Sequence, residues 1–493
     1  MLRLSRVLAV CSIVLLFAGA KKRTQSFPAA IDAAIAGAPK LASAFLGIQV
    51  VRLSDGHVLY QRNAEHLFTP ASNTKLFTTA LALGRLGPDY RFTTSVVLDG
   101  PDLVLIGRGD PSFSGRIYPY TKEPSHEDAL RAMEDLADQV AAHGVKAVEG
   151  DVVGDDTRYP WVPYPAGWGA DDWMWEYGAP VSALIVNDNR LDVSAVAGEA
   201  EGDLASVSIV PRFEFLTIDN RLLTGAPGGK GRIHVDGRPA AGELRLWGSV
   251  PLGGSEIVEQ LALADPAEFA AAALRDALLR RGIAVRGRAV ARHRFLEDVA
   301  DLERGESAAP PTAPELAHRA SPPLSELAQV VDKVSQNLHA EVLLREVGAV
   351  RRGMGTAEAG LAELHDFLAE VGVADEAYRI QDGSGLSRGN LVSPQAIARL
   401  LTFMAASPRS EQWQAMLPVG AEDGSLKNRF KGHPEARQIH AKTGSLSHVR
   451  ALSGYAETKR YGRVAFSIML NHYAVTDAEV TRFLDMIGLK ILG

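Results

Sequence analysis

The segment Ala71-Ser72-Asn73-Thr74-Lys75 opens a run of apolar residues and good helix formers that extends to residue 83. Such a run predicts a helix that begins near residues 70–72. Positions three apart lie on one face of a helix, so the Nζ atom of Lys75 can reach the Oγ atom of Ser72. A serine hydroxyl is a weak nucleophile and needs a neighbouring base to accept its proton. The pair therefore predicts a nucleophile and its base on one helical turn.

Lys75 can act as this base only if its surroundings remove its charge. An ordinary lysine has a pKa of about 10.4, so only about one molecule in 2500 is neutral at pH 7. Burial and a second ammonium group nearby both lower the pKa of a lysine. The apolar residues after Lys75 supply the first condition, and Lys442 is a candidate for the second. At a helix N-terminus the backbone N–H of Ser72 also points outward, where it can help to stabilise an oxyanion.

A second motif supplies a hydroxyl and an amide. Ser335 and Asn337 lie in a helical stretch over residues 324–344, which we expect to be broken or turned near Ser335. Two such side chains two residues apart suit a short loop that faces the nucleophile. There the hydroxyl relays a proton and the amide orients the substrate.

A third motif, Lys442-Thr443-Gly444-Ser445, begins a tail that is rich in strands. On an edge strand, alternation sends Lys442 and Gly444 to one face and Thr443 to the other. Gly444 has no side chain, so an acyl group could lie close to the backbone. The N–H of Ser445 is a second candidate oxyanion donor. The cation and the hydroxyl suit a substrate that ends in a free carboxylate.

Each motif alone has an ordinary explanation. A lone Ser-x-x-Lys is usually a helix N-cap followed by an exposed lysine, and a lone Lys-Thr-Gly is usually a strand end that runs into a turn. Here Ser-x-x-Lys, Ser-x-Asn and Lys-Thr-Gly each occur once. They also occur in the order that active-site serine acyl transferases use. Unique occurrence, order and matching local structure together favour an enzyme.

The chain resembles the class C low-molecular-mass penicillin-binding proteins, the D-alanyl-D-alanine carboxypeptidase/endopeptidase family. Beyond the three motifs, further segments resemble recurring parts of that family, namely residues 107–111, 167–168 with 178–183, 382–388 and 423–429. The resemblance covers essentially the whole mature chain. It implies an α+β fold, the serine penicillin-binding (β-lactamase-like) transpeptidase fold, with a large two-part inserted region. One mild departure is Gln336 in the middle of the second motif, where other members often carry a different polar residue.

The resemblance also implies a role for each motif residue. Ser72 would be the nucleophile and Lys75 its base. Ser335 would relay a proton and Asn337 would position the substrate. Lys442 and Thr443 would bind the substrate's carboxylate. Arg388 follows Gly383-Ser384-Gly385-Leu386-Ser387. It either binds a carboxylate on the substrate's stem peptide or forms a structural ion pair.

The predicted function is that of a serine-type D-alanyl-D-alanine carboxypeptidase or D,D-endopeptidase that acts on peptidoglycan stem peptides through an acyl-enzyme on Ser72. We expect β-lactam antibiotics to acylate the same serine as covalent inhibitors. The alternative is a penicillin-binding cell-wall scaffold with little turnover. A β-lactamase is less favoured because the large insert suits a polymeric substrate. The balance of the two peptidase activities, the preferred third stem residue and the oligomeric state stay open.

The amino terminus predicts export to the periplasm or cell envelope. A short basic region precedes an apolar run over residues 7–17 and the small residues Ala18-Gly19-Ala20, a pattern typical of a cleaved signal peptide over residues 1–20. The run is shorter than the roughly 20 apolar residues of a membrane span. Cys11 is the only cysteine and would leave with this segment. We therefore expect no disulfide and no thiol catalysis in the mature protein.

Composition gives no indication of a nucleic acid, metal or cofactor. The formal net charge is -7, and no basic stripe with interleaved aromatic residues is present. The 13 histidines form no metal-ligand motif. The glycine-rich segments match neither a dinucleotide fingerprint nor a phosphate loop.

More than 250 residues separate Ser72 from Ser335, which is far too many for a loop. We expect a discontinuous peptidase domain that consists of residues 21–88 and 296–493. Into it an inserted domain II is placed, which consists of residues 89–160 and 256–295. A domain III over residues 161–255 is nested inside domain II. Residues 303–323 are rich in alanine and proline and predict a linker back to the first domain.

Four of the six tryptophans lie within residues 161–175. They either form a platform for a glycan or stem peptide or hold an irregular segment in place. The second explanation is favoured, because a loop of this composition must bury something.

Overall fold

The computed structural model describes residues 26–122, 128–212, 217–236, 243–297, 299 and 313–493. The predicted signal peptide over residues 1–20 lies outside these ranges. The described α-helices are α1 (Phe27–Ala36), α2 (Lys75–Arg85), α3 (Arg131–Ala142), α4 (Pro266–Arg280), α5 (Leu324–Lys333), α6 (Asn337–Arg352), α7 (Ala357–Val371), α8 (Pro394–Ala406), α9 (Ser410–Met416) and α10 (Asp477–Leu492). None of these helices is both long enough and apolar enough to cross a membrane.

The strands fall into a peptidase group at the two ends of the chain and an insert group between them. The described strands are β1 (Phe45–Arg52), β2 (Val58–Arg62), β3 (Thr93–Asp99), β4 (Asp102–Gly107), β5 (Ala147–Val148), β6 (Val152–Pro160), β7 (Arg190–Val196), β8 (Ser206–Val210), β9 (Thr217–Gly225), β10 (Arg232–Asp236), β11 (Glu243–Pro251), β12 (Ile257–Ala262), β13 (Ala284–Val285), β14 (Ala289–Arg294), β15 (Glu315–Ala320), β16 (Tyr378–Arg379), β17 (Leu391–Val392), β18 (Ile439–Leu446), β19 (Val449–Thr458) and β20 (Gly462–Asn471).

The peptidase sheet joins the first hairpin to the last three strands in the order β18-β19-β20-β1-β2. Phe466 and Ile468 of β20 pack in one apolar cluster with α1 and α10. Ala465 and Met469 of the same strand pack on the other face with α2 and α8. Alternation along the strand thus buries the sheet between two helical layers. The predicted α+β class is confirmed, and β18 lies at an edge of the sheet.

The predicted helix at the first motif is confirmed. Residues Ala71–Thr74 form a short 3-10 turn, and α2 continues from it. Residues 75–83 are all buried, because α2 packs into the main helical core of the peptidase region. Asn73 Nδ2 donates to Ser453 Oγ of β19 at 2.6 Å, which joins the turn to the sheet.

The predicted break at the second motif is also confirmed. Helix α5 ends at Lys333 and α6 begins at Asn337. Between them Ser335 has a φ of 67°, in the left-handed region. The side chain of Gln336 accepts a hydrogen bond from the N–H of His339, so Gln336 caps the N-terminus of α6.

The insert has cores of its own. A five-stranded sheet in the order β14-β6-β4-β3-β15 packs with α3 and α4. Two three-stranded sheets, β12-β7-β8 and β10-β11-β9, enclose a separate apolar cluster. These cores suit an insert of two parts, and the exact division of the chain into domains stays a prediction.

The prediction of a linker over residues 303–323 was wrong for residues 315–320, and its first part, residues 303–312, lies outside the described residues. Residues 315–320 form β15, which pairs antiparallel with β3 from Glu315 opposite Val97 to Ala320 opposite Thr93. Ala317 of this strand is buried in the core of the insert. The segment Glu-Leu-Ala-His-Arg-Ala has little strand preference of its own, so its conformation depends on the partner strand.

Candidate active site

Lys75 lies at the centre of the site. Its Nζ atom is 3.1 Å from Ser72 Oγ, 2.6 Å from Asn337 Oδ1 and 2.6 Å from the carbonyl oxygen of Ser384. The side chain is fully buried. Burial lowers the pKa of Lys75 to about 8, although nearby carboxylates, chiefly Asp382, oppose the shift. With that pKa about one molecule in ten has a neutral Lys75 at pH 7.

Lys442 and Ser335 form a second pair. The Nζ atom of Lys442 donates to Ser335 Oγ at 2.8 Å and to the carbonyl oxygen of Thr443 at 2.9 Å. Burial lowers the pKa of Lys442 well below its ordinary value, and the positive charge on Lys75 adds to the effect. Two ammonium groups in one buried region disfavour each other, so this arrangement favours a neutral amine on one of them.

The backbone at Ser335 is strained. A left-handed conformation costs a residue with a side chain about 1–2 kcal/mol. The helix ends on either side, together with the Gln336 cap, fix this conformation. Strain of this kind persists where the surrounding structure determines it, and it is common at functional sites. Here it accompanies the contact between the Ser335 hydroxyl and Lys442.

Gly444 lies against the turn that contains Ser72. A Cβ atom at this position would lie 2.5 Å from the carbonyl oxygen of Pro70, so a larger residue would push the strand and the turn apart. Thr443 makes its contact elsewhere, where its Oγ1 donates to Ser425 Oγ at 2.8 Å. Ser425 lies in the family-like segment 423–429, but the sequence gave it no role. Its position 18 residues before Thr443 gives no local signal of their contact.

A cleft of about 510 Å³ opens beside these residues. Residues from all three motifs line it, namely Ser72, Asn337 and Ser445, and the insert contributes Asp171, Asp172 and Tyr177. Arg388 lies at the same cleft and is exposed. Its guanidinium donates to the carbonyl oxygen of Ser447 at 3.2 Å, and it forms no ion pair with any acidic residue of the described ranges.

Asp382 organises the loop that places a carbonyl group on Lys75. Its carboxylate accepts hydrogen bonds from the N–H groups of Gly385 and Ser387 and from Asn390 Nδ2, each at 2.7 Å. It also accepts one from the indole N–H of Trp168 at 3.0 Å. Trp168 is buried, so this tryptophan holds an irregular segment in place, as the favoured explanation predicts.

The sequence did not reveal Asp332, a fully buried carboxyl group one helical turn before Ser335. Thr79 Oγ1 lies 3.0 Å from Asp332 Oδ2. Burial raises the pKa of Asp332, and the positive charges on Lys442 and Lys75 oppose the rise. No spacing in the sequence indicated it, because the helix ends at Lys333 before Ser335 and the contact of Asp332 with Thr79 spans 253 positions.

Glu341 is a second buried carboxyl group that the sequence did not reveal. It follows Asn337 by four residues on α6 and accepts a hydrogen bond from the N–H of Ser384 at 2.8 Å. Burial raises the pKa of Glu341 to about 7, and the charge on Asp382 adds to the rise. It thus fixes, from a second direction, the segment whose carbonyl group contacts Lys75.

The insert contacts the second motif directly. Asn337 Nδ2 donates to the carbonyl oxygen of Tyr177 at 2.8 Å. Two residues further along α6, the Nε2 atom of His339 is 2.9 Å from Asp188 Oδ1. The other oxygen of Asp188 accepts from the guanidinium of Arg116. The positions of Asn337 and of α6 therefore depend on the insert.

Comparison with known proteins identifies relatives along nearly the whole chain. The family described as D-Ala-D-Ala carboxypeptidase 3 (S13) matches residues 27–487. A D-alanyl-D-alanine carboxypeptidase of Actinomadura sp. (strain R39) is 34% identical over 475 residues, which cover 91% of this chain and 83% of that protein. The D-alanyl-D-alanine carboxypeptidase DacB of Haemophilus influenzae is 22% identical over 451 residues, which cover 88% of this chain and 87% of that protein.

A solved structure supports the fold. The crystal structure of penicillin binding protein 4 (dacB) from Haemophilus influenzae superposes with a TM-score of 0.76 at 21% identity, over 93% of this chain and 97% of that one. The predicted serine penicillin-binding fold is thereby confirmed. The chain belongs to the D-Ala-D-Ala carboxypeptidase 3 (S13) family.

Proposed function

We propose that this chain hydrolyses the bond between the two terminal D-alanines of peptidoglycan stem peptides through an acyl-enzyme on Ser72. One observation supports this most strongly. A buried Lys75 with a lowered pKa contacts the hydroxyl of Ser72 and the amide of Asn337, and a second buried ammonium group on Lys442 contacts Ser335. The same cleft is open to a peptide.

Acylation begins at Ser72. Its Oγ atom attacks the carbonyl carbon of the penultimate D-alanine, while the neutral amine of Lys75 accepts the hydroxyl proton. The N–H groups of Ser72 and Ser445 stabilise the oxyanion of the tetrahedral intermediate. The carbon–nitrogen bond then breaks, and the hydroxyl of Ser335 passes a proton to the leaving amine as Lys442 supplies one to Ser335. The products are the acyl-enzyme and a free amine.

Deacylation reverses the roles of attacking and leaving groups. Before deacylation the ammonium group of Lys75 loses to solvent the proton that it accepted from Ser72, and Lys442 regains one from solvent. A water molecule then attacks the ester carbonyl as the neutral amine of Lys75 accepts its proton, and Lys75 returns that proton to Ser72 Oγ as the ester carbon–oxygen bond breaks. The stem peptide departs with a new carboxylate. A leaving group that is free D-alanine defines carboxypeptidase action, and one that is a cross-linked side chain defines endopeptidase action. The same steps serve both.

Charged groups around the cleft suit an anionic peptide end. Lys442 and Thr443 bind the carboxylate of the terminal residue, and Asn337 orients the stem peptide. Arg388 lies exposed at the cleft, where it binds a second carboxylate of the stem. β-Lactams acylate Ser72 in the same way. The signal peptide predicted at residues 1–20 directs the protein to the periplasm or cell envelope, where this substrate occurs.

The experiment that tests this function measures release of D-alanine from a soluble pentapeptide and conversion of a cross-linked muropeptide to its monomers. We expect the wild-type protein to release D-alanine from the pentapeptide and the Ser72→Ala variant to lose activity on both substrates to background. Stable labelling by penicillin without turnover of either substrate would contradict the proposal and select a non-catalytic scaffold.

A further inference from the structure

We infer that Ser425 is a substrate-binding residue whose hydroxyl, paired with that of Thr443, forms the recognition site for the carboxylate of the substrate's terminal residue. This inference rests on the proposed function, because it concerns the same substrate. Ser425 lies in the segment 423–429 that resembles a recurring part of the family, but the resemblance assigns the carboxylate to Lys442 and Thr443 and gives Ser425 no role. The structure adds a third group to that site.

The two hydroxyl groups already form a pair. Thr443 Oγ1 donates to Ser425 Oγ at 2.8 Å, at an exposed position. Each hydroxyl has one hydrogen that rotates to suit its neighbours. An incoming carboxylate has two acceptor oxygens and can accept one bond from each hydroxyl, in the manner of other two-pronged carboxylate contacts. The pair is therefore arranged for an anion of this shape.

The residue before Thr443 supplies an amine. Lys442 Nζ donates to the carbonyl oxygen of Thr443 at 2.9 Å and to Ser335 Oγ at 2.8 Å. An anion on the two hydroxyls would thus bind at the residue next to Lys442 on β18. Hydrogen bonds to a charged acceptor are stronger than those between neutral groups.

The turn that contains Ser425 is fixed by a buried ion pair. Asp423 Oδ2 accepts from Lys333 Nζ at 2.6 Å, and both side chains are almost fully buried. The other oxygen of Asp423 accepts the N–H of Val419 at 2.8 Å. Lys333 is the last residue of α5, so the turn is tied to the helix that leads to Ser335.

Gly424 fixes the same turn from another side. It has a φ of 51°, and a Cβ atom there would lie 2.4 Å from the carbonyl oxygen of Lys333. Its N–H donates to the hydroxyl of Tyr120 at 3.1 Å. A turn constrained in this way places the next residue, Ser425, in one position relative to β18.

The fold gives no other use for the Ser425 hydroxyl. Ser425 is exposed, and within the described part of the chain its side chain bonds to Thr443 alone. A purely structural serine at such a position would tolerate alanine with little effect on either stability or catalysis. A structural role and a substrate-binding role of Ser425 therefore predict different effects of Ser425→Ala on catalysis.

The experiment compares two substrates that differ at one group, an acylated peptide ending in D-Ala-D-Ala and the same peptide with a C-terminal amide. We expect Ser425→Ala to lower kcat/KM for the acid by roughly tenfold to hundredfold, chiefly through KM, and to change it for the amide by less than about twofold. Ser425→Thr keeps the hydroxyl and should retain most of the activity on the acid. Ser206→Ala, at an exposed serine of β8 in the insert, serves as the matched control and should change neither value.

Equal effects of Ser425→Ala on both substrates, or no effect on either, would overturn the inference. Ser425→Cys, of similar size but a weak donor, repeats the test if the alanine variant melts below the wild type.

Acylation of Ser72 by benzylpenicillin and by its methyl ester, followed by measurement of the intact protein mass, gives the same comparison without deacylation. If the wild-type protein cleaves the acid and Ser425→Ala has the same ratio of kcat/KM for acid and amide as the wild type, only this inference is refuted. A wild-type protein that cleaves neither peptide refutes the proposed function with it.

Discussion

At the scale of single residues, the site depends on two lysines whose positive charges repel each other. Lys75 and Lys442 are both fully buried, and each contacts a motif serine. Burial lowers the pKa of both side chains. A serine enzyme of this family needs a neutral amine at the pH at which it works, and desolvation provides it without a histidine.

The pH dependence of acylation should report the state of Lys75. Because the pKa of Lys75 is about 8, its ammonium form predominates at lower pH and cannot accept the Ser72 proton. We expect the rate of acylation by penicillin to fall as the pH decreases below about 8. Lys75→Arg keeps a charge that cannot be removed and should lower the rate by roughly 10²- to 10⁴-fold at every pH. A flat profile between about pH 6 and 9, or an active arginine variant, would argue against Lys75 as the base.

Asp332 should contribute to the position of that pH profile, together with the carboxylates of Asp382 and Glu341. Its carboxylate, facing Lys442 and Lys75 as well as Lys333 on its own helix, favours the ammonium forms. Asp332→Asn removes this charge, so the pKa of the lysines falls and the acid limb of the acylation profile moves to lower pH by about one unit. Measurement of the acylation rate against pH for both proteins checks this. A change in melting temperature with an unmoved limb would assign Asp332 a structural role only.

The residues that the sequence revealed and those it did not differ in the range of their contacts. Ser72 with Lys75, and Ser335 with Asn337, are recognisable because each pair acts over two or three positions. Asp332 contacts Thr79 across 253 positions of the chain, and Ser425 contacts Thr443 across 18 positions. Spacing along the chain contains no information on such contacts, although the motif order did predict that the three motifs meet.

At the scale of elements, His293 joins three parts of the insert. On β14, its Nδ1 is 2.9 Å from Asp156 Oδ1 of β6, and its Nε2 is 3.0 Å from Asp265 Oδ2 at the N-terminus of α4. The ring also stacks on Trp161 with centroids 3.9 Å apart. Burial alone would lower the pKa of His293, but the hydrogen bonds and charges of the two aspartates outweigh it and raise the pKa to about 10.

This contact should make the stability of the insert depend on pH. The folded pKa is raised above the unfolded value of about 6.5, so the contribution is fully present below about pH 6.5 and is lost as the pH rises through about 10. His293→Gln should therefore lower the melting temperature by about 2–4 °C near pH 6 and by almost nothing near pH 10.5. His318→Gln, at a more exposed histidine, should show no such trend. An equal loss at both pH values for His293→Gln would exclude the ion pairs as its cause.

Elements were predictable where their own residues determine them. Helix α2 is a continuous run of buried residues, and β19 and β20 are long strands with many apolar residues that follow β18 after short turns. Strand β15 was missed because its conformation comes from pairing with β3 across more than 200 residues. The family resemblance implied the fold class, but the local pattern of residues 315–320 did not indicate that they belong to the sheet of the insert.

At the scale of the whole molecule, the insert and the peptidase region meet at the second motif. Asn187, Asp188 and Asn189 form a turn in which all three residues have φ values between 50° and 55°. Asparagine and aspartate adopt such conformations more readily than other residues that have side chains. The turn presents Asp188 to His339 of α6 and to Arg116, and Asp188 is buried. A buried turn of this kind suits a part that must hold another element in position.

Asp188→Asn tests this connection. Asparagine tolerates the left-handed backbone but removes the charge that pairs with Arg116 and contacts His339. Breaking one partner of a buried pair costs about 3–5 kcal/mol, so we expect a lower melting temperature together with slower acylation of Ser72. Asp192→Asn, at a half-buried carboxylate of β7, is the control and should change stability by no more than about 0.5 kcal/mol. Normal acylation in a destabilised Asp188→Asn protein would mean that the insert does not position the second motif.

The most direct test of the whole account is the mass of the protein after reaction with benzylpenicillin, followed by peptide mapping of the adduct. We expect one added penicilloyl group, located on Ser72, in the wild-type protein and none in Ser72→Ala. An unmodified wild-type protein, or an adduct on any other residue, would contradict it.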